Sequence, residues 1–230
     1  MPAEQNLPPP RQRWRLLLAR SADAPELAGR EAIDAWDSAL EASGLPIFRA
    51  PGRVRPRIAF GAPIPARLEL ERELADIVLT EFVPTWRVRE GLAEHLPQGW
   101  RLVDVHDVWL GSPPLAGQVV AADYRIDVSG ADRAALAAAA ASLLNATELP
   151  RERLKGSSTV RYDLRPLLAN VCVVEVGPPM LLRIRTRFDP VLGTGRPEEV
   201  VAALADVVGD SLDLASMVRE RVILADDEER

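Results

Sequence analysis

Few residues in this sequence have types and spacings that could do chemistry. His106 lies in VDVHDV two positions after Asp104, on one face of a strand-like stretch. There a carboxylate could orient an imidazole for proton transfer, but no third member of a relay is apparent. His95 precedes Pro97 and Gly99 in the last turn of a predicted helix, where a donor side chain suits the exposed carbonyls. Neither histidine has a partner at metal-ligand spacing. Cys172, the only cysteine, shares a predicted strand face with Val174 and Val176, which predicts a small buried hydrophobe rather than a nucleophile. No Walker-type Lys loop, G-x-S-x-G, H-E-x-x-H or G-x-G-x-x-G run is present, so no catalytic residue, metal ligand or cofactor is assigned.

The arginines are the stronger signal. Arg49, Arg53, Arg55 and Arg57 crowd the stretch RAPGRVRPRIAF, although the formal net charge is -6. Arg11, Arg13 and Arg15 alternate with Trp14, Leu16 and Leu18, the period of a half-buried strand, and Arg183, Arg185 and Arg187 form a second such row. A guanidinium row on an open sheet face can hold a phosphate backbone or an acidic protein surface. Cross-strand ion pairing is the plainer reading. It fits the second row, where Asp123, Asp127 and Glu175 point the same way. For the first row only Asp76 is at hand, so an uncompensated positive field is expected there, beside the 49–57 loop.

The elements that must carry these rows follow from pattern. The first ten residues read as a Pro-rich disordered lead, and 226–230 as an acidic tail. The spacing predicts a strand at 11–19, a helix from Pro25 to about Gly44, strand pieces at 46–50 and 57–61, and a strand at 73–82. A helix from Pro84 to about His95 and a strand at 99–110 complete this half. GSPPLAG, within a linker at 111–119, precedes a second series. That series is a strand at 120–128, a helix at 131–146, a hairpin at 151–164 turning at KGSS, strands at 170–176 and 180–188, a helix from Pro197 and a strand at 215–225. The chain is therefore read as α+β, two consecutive ferredoxin-like units (strand-helix-strand-strand-helix-strand) with antiparallel sheets, at 11–110 and 120–225.

With 230 residues, 47% of them apolar, the chain is long enough to bury a core. The acidic balance argues against indiscriminate duplex binding. No run is long enough to span a bilayer, the start lacks an apolar signal-peptide stretch, and a lone cysteine forms no internal disulfide. A cytoplasmic, membrane-free protein is expected.

RPRIAF at 55–60, the run Asp163, Leu164, Arg165, Pro166 and the run Arg196, Pro197, Glu198, Glu199, Val200 carry a resemblance. Across about residues 12–225 the sequence resembles the bacterial radical-SAM-linked proteins, a family built on a domain of unknown function and typically encoded beside, or fused to, a radical SAM protein. The family's Ser-His-Leu-Asp run is replaced here by Ala28, Gly29, Arg30 and Glu31, and its Gly-Phe-Asn-Pro run by Pro51, Gly52, Arg53 and Val54. Glu31, Arg55 and Pro56 are what remain of those runs, so the resemblance implies a divergent member. One cysteine cannot supply the three that a radical SAM cluster requires, so the resemblance implies the companion and not the radical enzyme.

Three functions are open at this point. The first is a non-catalytic accessory module that binds a radical SAM partner, or its RNA-like substrate, through Arg11, Arg13, Arg15, Arg49, Arg53, Arg55 and Arg57. The second is an RNA-processing or RNA-modifying enzyme using His106 or Tyr162, and the third is a structural scaffold whose arginines are ion-paired.

Overall fold

The computed structural model describes residues 8–27, 29–49, 58–155, 158–175, 177 and 179–228. The chain folds as two compact α+β units, Met1–Val119 and Val120–Arg230.

In the first unit, the alternation of Trp14, Leu16 and Leu18 with arginines becomes β1 (Gln12–Arg20), with the three apolar side chains buried. β1 is flanked by β3 (Glu69–Leu79) and β4 (Trp100–Val108), both antiparallel to it, and the short β2 (Ala59–Phe60) pairs antiparallel with β3. The order across the sheet is β4-β1-β3-β2. Helices α1 (Gly29–Ala42) and α2 (Thr85–Ala93) connect the strands, and Trp36, Leu40, Val88 and Leu92 pack with Leu16, Ile77 and Leu79 as the core. α1 begins at Gly29, not at Pro25. Gly29 has φ +55, a left-handed conformation that glycine tolerates best, and Leu27 is left outside the helix.

In the second unit, β5 (Val119–Ser129) buries Tyr124, Ile126 and Val128, while Asp123 and Asp127 stand on its other face. β9 (Met180–Asp189) pairs antiparallel with β5, with β8 (Leu168–Glu175) and with the short β10 (Gly193–Thr194). β11 (Asp213–Leu224) lies on the far side of β5, giving the order β8-β9-β5-β11. Helices α3 (Arg133–Asn145) and α4 (Pro197–Val208) cover the apolar face with Leu136, Leu143, Val200 and Leu204. β6 (Pro150–Lys155) and β7 (Ser158–Asp163) form a separate hairpin.

The run Asp163, Leu164, Arg165, Pro166 has a structural explanation. Asp163 Oδ1 accepts hydrogen bonds from the Leu149 and Arg165 amides, at 2.7 and 2.9 Å, closing the turn after β7. The Arg165 guanidinium then donates to the carbonyls of Leu144, Ala146 and Leu168 at 2.8–3.1 Å. Two of these lie at the end of α3, where carbonyls lose their helical partners and a cation complements the dipole. Arg165→Met should therefore lower unfolding free energy by about 1.5–3 kcal/mol, the worth of charge-assisted hydrogen bonds. Equilibrium denaturation in urea checks this, and a loss within measurement error would remove Arg165 from that role.

Candidate functional site: an aromatic-lined cavity in the first unit

The expected open arginine face of the first half is not open at Arg13 and Arg15. Arg13 is 7% exposed, and its Nε and Nη2 donate to Asp76 Oδ2 at 2.9 and 2.5 Å. Its Nη1 and Nη2 also donate to the carbonyls of Ser112 and Pro113, at 2.7 and 3.0 Å. Arg15 Nε donates to Asp76 Oδ1 at 3.0 Å. One carboxylate, 4% exposed, thus holds two guanidiniums. The reason is that GSPP, read as linker, folds back onto the strand face and offers carbonyl oxygens there. Leu115, in the 3-10 turn Leu115–Gly117, is buried as an anchor. Of the other predicted contacts, Arg11 is exposed and Arg49 lies 3.9 Å from Glu41, an exposed pair worth little. Arg53, Arg55, Arg57 and Pro56 lie outside the described residues.

In the second row Arg185 is paired with Asp123, one of the expected acids, and Arg183 with Glu220 of β11, which the expectation did not include, while Arg187 is exposed. Arg185 and Arg221 both donate to Asp123, and Arg125 and Arg183 both meet Glu220. Asp127 accepts from Ser216 Oγ at 2.6 Å. Burial pushes the Asp123 carboxyl up, but the hydrogen bonds from Arg185 and Arg221 and their charges outweigh it, and the net pKa falls below the ordinary aspartate value.

His106 is exposed, with Nε2 3.2 Å from Asp104 Oδ2, and Arg89 also donates to Asp104. The Val105 amide and then Arg89 hold the Asp104 carboxyl below its ordinary value. His95 Nδ1 donates to the Gly91 carbonyl at 3.0 Å near the end of α2, as its helix-end position suggests. Cys172, expected to be buried, is exposed. Val171 takes the inward position on β8, and in VCVVEV apolar residues occupy both faces, so periodicity does not choose between them. Tyr162 lies under the Arg153 guanidinium, 5.1 Å from the ring centroid, and burial, with Glu199 second, raises its pKa. Arg196 precedes α4 and Pro197 is its first residue, a position where the missing N–H costs nothing. Glu31 is exposed in the first turn of α1. No cluster of potential metal ligands occurs among the described residues, and no described helix is long and apolar enough to cross a membrane.

Sequence reasoning missed a cavity of about 1320 Å³ within the first unit. Its floor is aromatic. Trp36 of α1, Phe60 of β2 and Trp100 of β4 meet edge-on or tilted, with centroids 5.0–5.9 Å apart. Ile33, Leu27 and Ile58 line the cavity beside them, and Arg13, Asp76, Ser112 and Leu115 line it as well. Gly99 positions Trp100: its φ is +80, and a Cβ there would come 2.3 Å from Ala24 Cβ, so only glycine lets the turn close onto the 21–24 segment. The stretches flanking both divergent runs, around Ala32 and Ile58, meet at this cavity. A compositional signal was present in the sequence: all five tryptophans, Trp14, Trp36, Trp86, Trp100 and Trp109, fall in the first half.

Residues 15–201 match the family described as "Uncharacterized protein conserved in bacteria (DUF2344)". The chain belongs to that family. The DUF2344 span takes in Arg15, α1, the three rings and the row Arg183, Arg185 and Arg187, and ends within α4. No curated protein matches the sequence. Among solved structures, one titled "Crystal Structure of a Cbf5-Nop10-Gar1 Complex" is similar at 8% identity and a TM-score of 0.49. The match covers 90% of this chain and 49% of that one, so the DUF2344 protein spans about half the length of that chain.

The Asp123 cluster generates a pH prediction. A carboxyl whose folded pKa is depressed contributes stability that is present above its unfolded value, about 3.9, and lost as pH falls through the folded value. Denaturation across about pH 6 to 2 should show Asp123→Asn less stable than wild type at the upper end, with the difference shrinking towards the acid end. A difference constant over that range would contradict the pairing.

Proposed function

We propose that this DUF2344 protein is a non-catalytic accessory module that holds a ligand in the cavity of its first unit for a radical SAM partner, and that each unit is a ferredoxin-like scaffold. The observation that carries the binding role is the cavity: a large concave surface floored by three rings, of the kind that takes ligands in soluble proteins. The strand order β4-β1-β3-β2, repeated as β11-β5-β9-β8 with a helix in each long connection, supports the scaffold reading. The partner is drawn from the resemblance in RPRIAF, DLRP and RPEEV. Arg13, held by Asp76 and two backbone carbonyls, and Arg15, held by Asp76, have no part in this reading. Contact through Arg11, Arg49, Arg53, Arg55 and Arg57 is its RNA-binding rival, and an RNA enzyme built on the solvent-facing His106, which is not among the cavity-lining residues, is another.

Size-exclusion chromatography of the full chain with a radical SAM protein of the same bacterium should yield a stable complex. Salt-dependent RNA binding by the chain alone, with no complex, would replace this reading by its rival.

A further inference from the structure

We infer that the cavity of the first unit takes a neutral ligand with a planar aromatic ring system, and rejects phosphate and other compact anions. The inference rests on reading that cavity as a binding site. Its physical basis is the state of the charged groups in the wall. Among the described lining residues the cations are Arg13 and Arg20. Arg13 is engaged by Asp76 and by the carbonyls of Ser112 and Pro113. Arg20 donates to the carbonyls of Leu68 and Pro65, and its guanidinium already lies over Trp100, 5.6 Å from the ring centroid.

An entering anion would compete with these bonds while facing the carboxylates of Asp37 and Asp76, which line the same space. Leaving a buried group unpaired costs more than an exposed contact returns. The described wall therefore selects against negative charge even though Arg13 and Arg20 line it.

The apolar part selects for ring shape. Trp36 is nearly buried, whereas Phe60 and Trp100 are only half-buried, so ring surface of both remains open to a ligand. Aromatic pairs meeting edge to face or offset gain beyond their buried area. At about 1320 Å³ the space exceeds the range of roughly 300–1,000 Å³ common for small-molecule sites, so it accommodates several fused rings without rearrangement. Ile33, 60% exposed, lines the cavity.

The uncharged dye Nile red serves as probe for the full chain, followed by its fluorescence. Saturable binding is expected, insensitive to added salt, undisturbed by inorganic phosphate, and displaced by naphthol more readily than by decanol. Trp100→Leu and, separately, Ile33→Arg should each weaken binding about tenfold or more, the scale of one lost stacking face. Ile33 is exposed, so its variant tests the site without disturbing the core. Absence of saturable binding, displacement by phosphate, preference for decanol, or an unchanged affinity in Ile33→Arg would each overturn the inference. Dye binding as described with no radical SAM complex sinks only the accessory reading. A complex without dye binding sinks only the inference drawn here.

Discussion

Asp76 is the residue on which the first unit turns. Its carboxylate sits on β3, faces away from the apolar core and accepts from Arg13 and Arg15 of the neighbouring strand. Arg13 in turn grips the backbone of Ser112 and Pro113, so one carboxylate ties two strands to the segment that follows β4. That segment, with Leu110, Pro114 and Leu115, forms part of the cavity wall. A buried pair of this kind adds modest net stability compared with apolar packing, but losing one partner leaves the others charged and desolvated. What it supplies is geometry. Arg13, the cation this clamp contributes to the described wall, is already paired there.

The two units use a similar strand order for different ends. In the second, acids and arginines alternate across the sheet face and pair among themselves, Asp123 with Arg185 and Arg221, and Glu220 with Arg125 and Arg183. In the first, Arg13 and Arg15 share one acid, Asp76, and the tryptophans gather. Charge rows that look alike in the sequence thus serve as a cross-strand lattice in one unit and as an internal clamp in the other. Exposure separates them: Arg13 has 8% of its side chain accessible and Arg183 57%.

Strands with strict alternation were legible from sequence. Trp14, Leu16 and Leu18 against arginines, and Tyr124, Ile126 and Val128 against aspartates, fixed which face is core because the period of two leaves no choice. Where both faces are apolar, as around Cys172, the same rule is silent. The start of α1 was misplaced because Pro25 is a good first helical residue in isolation, whereas the chain uses Gly29. The clamp was half visible: Asp76 was identified as the one acid on the right face, but the carbonyls of Ser112 and Pro113 carry no sequence signature, and no count of charges shows them. The cavity was illegible for a related reason. Trp36, Phe60 and Trp100 are far apart in sequence and are brought together by strand order and by the close turn at Gly99.

The central claim is that Arg13 is consumed by Asp76 rather than offered to a ligand, and a double-mutant cycle on unfolding free energy tests it directly. With Arg13→Leu, Asp76→Leu and the pair, the account predicts that Asp76→Leu alone costs about 3–5 kcal/mol, because it strands buried guanidiniums. The double variant should cost less than the sum of the single ones by about 2 kcal/mol or more. Additive losses would contradict it, showing that Arg13 and Asp76 act independently and that the guanidinium is available to something else.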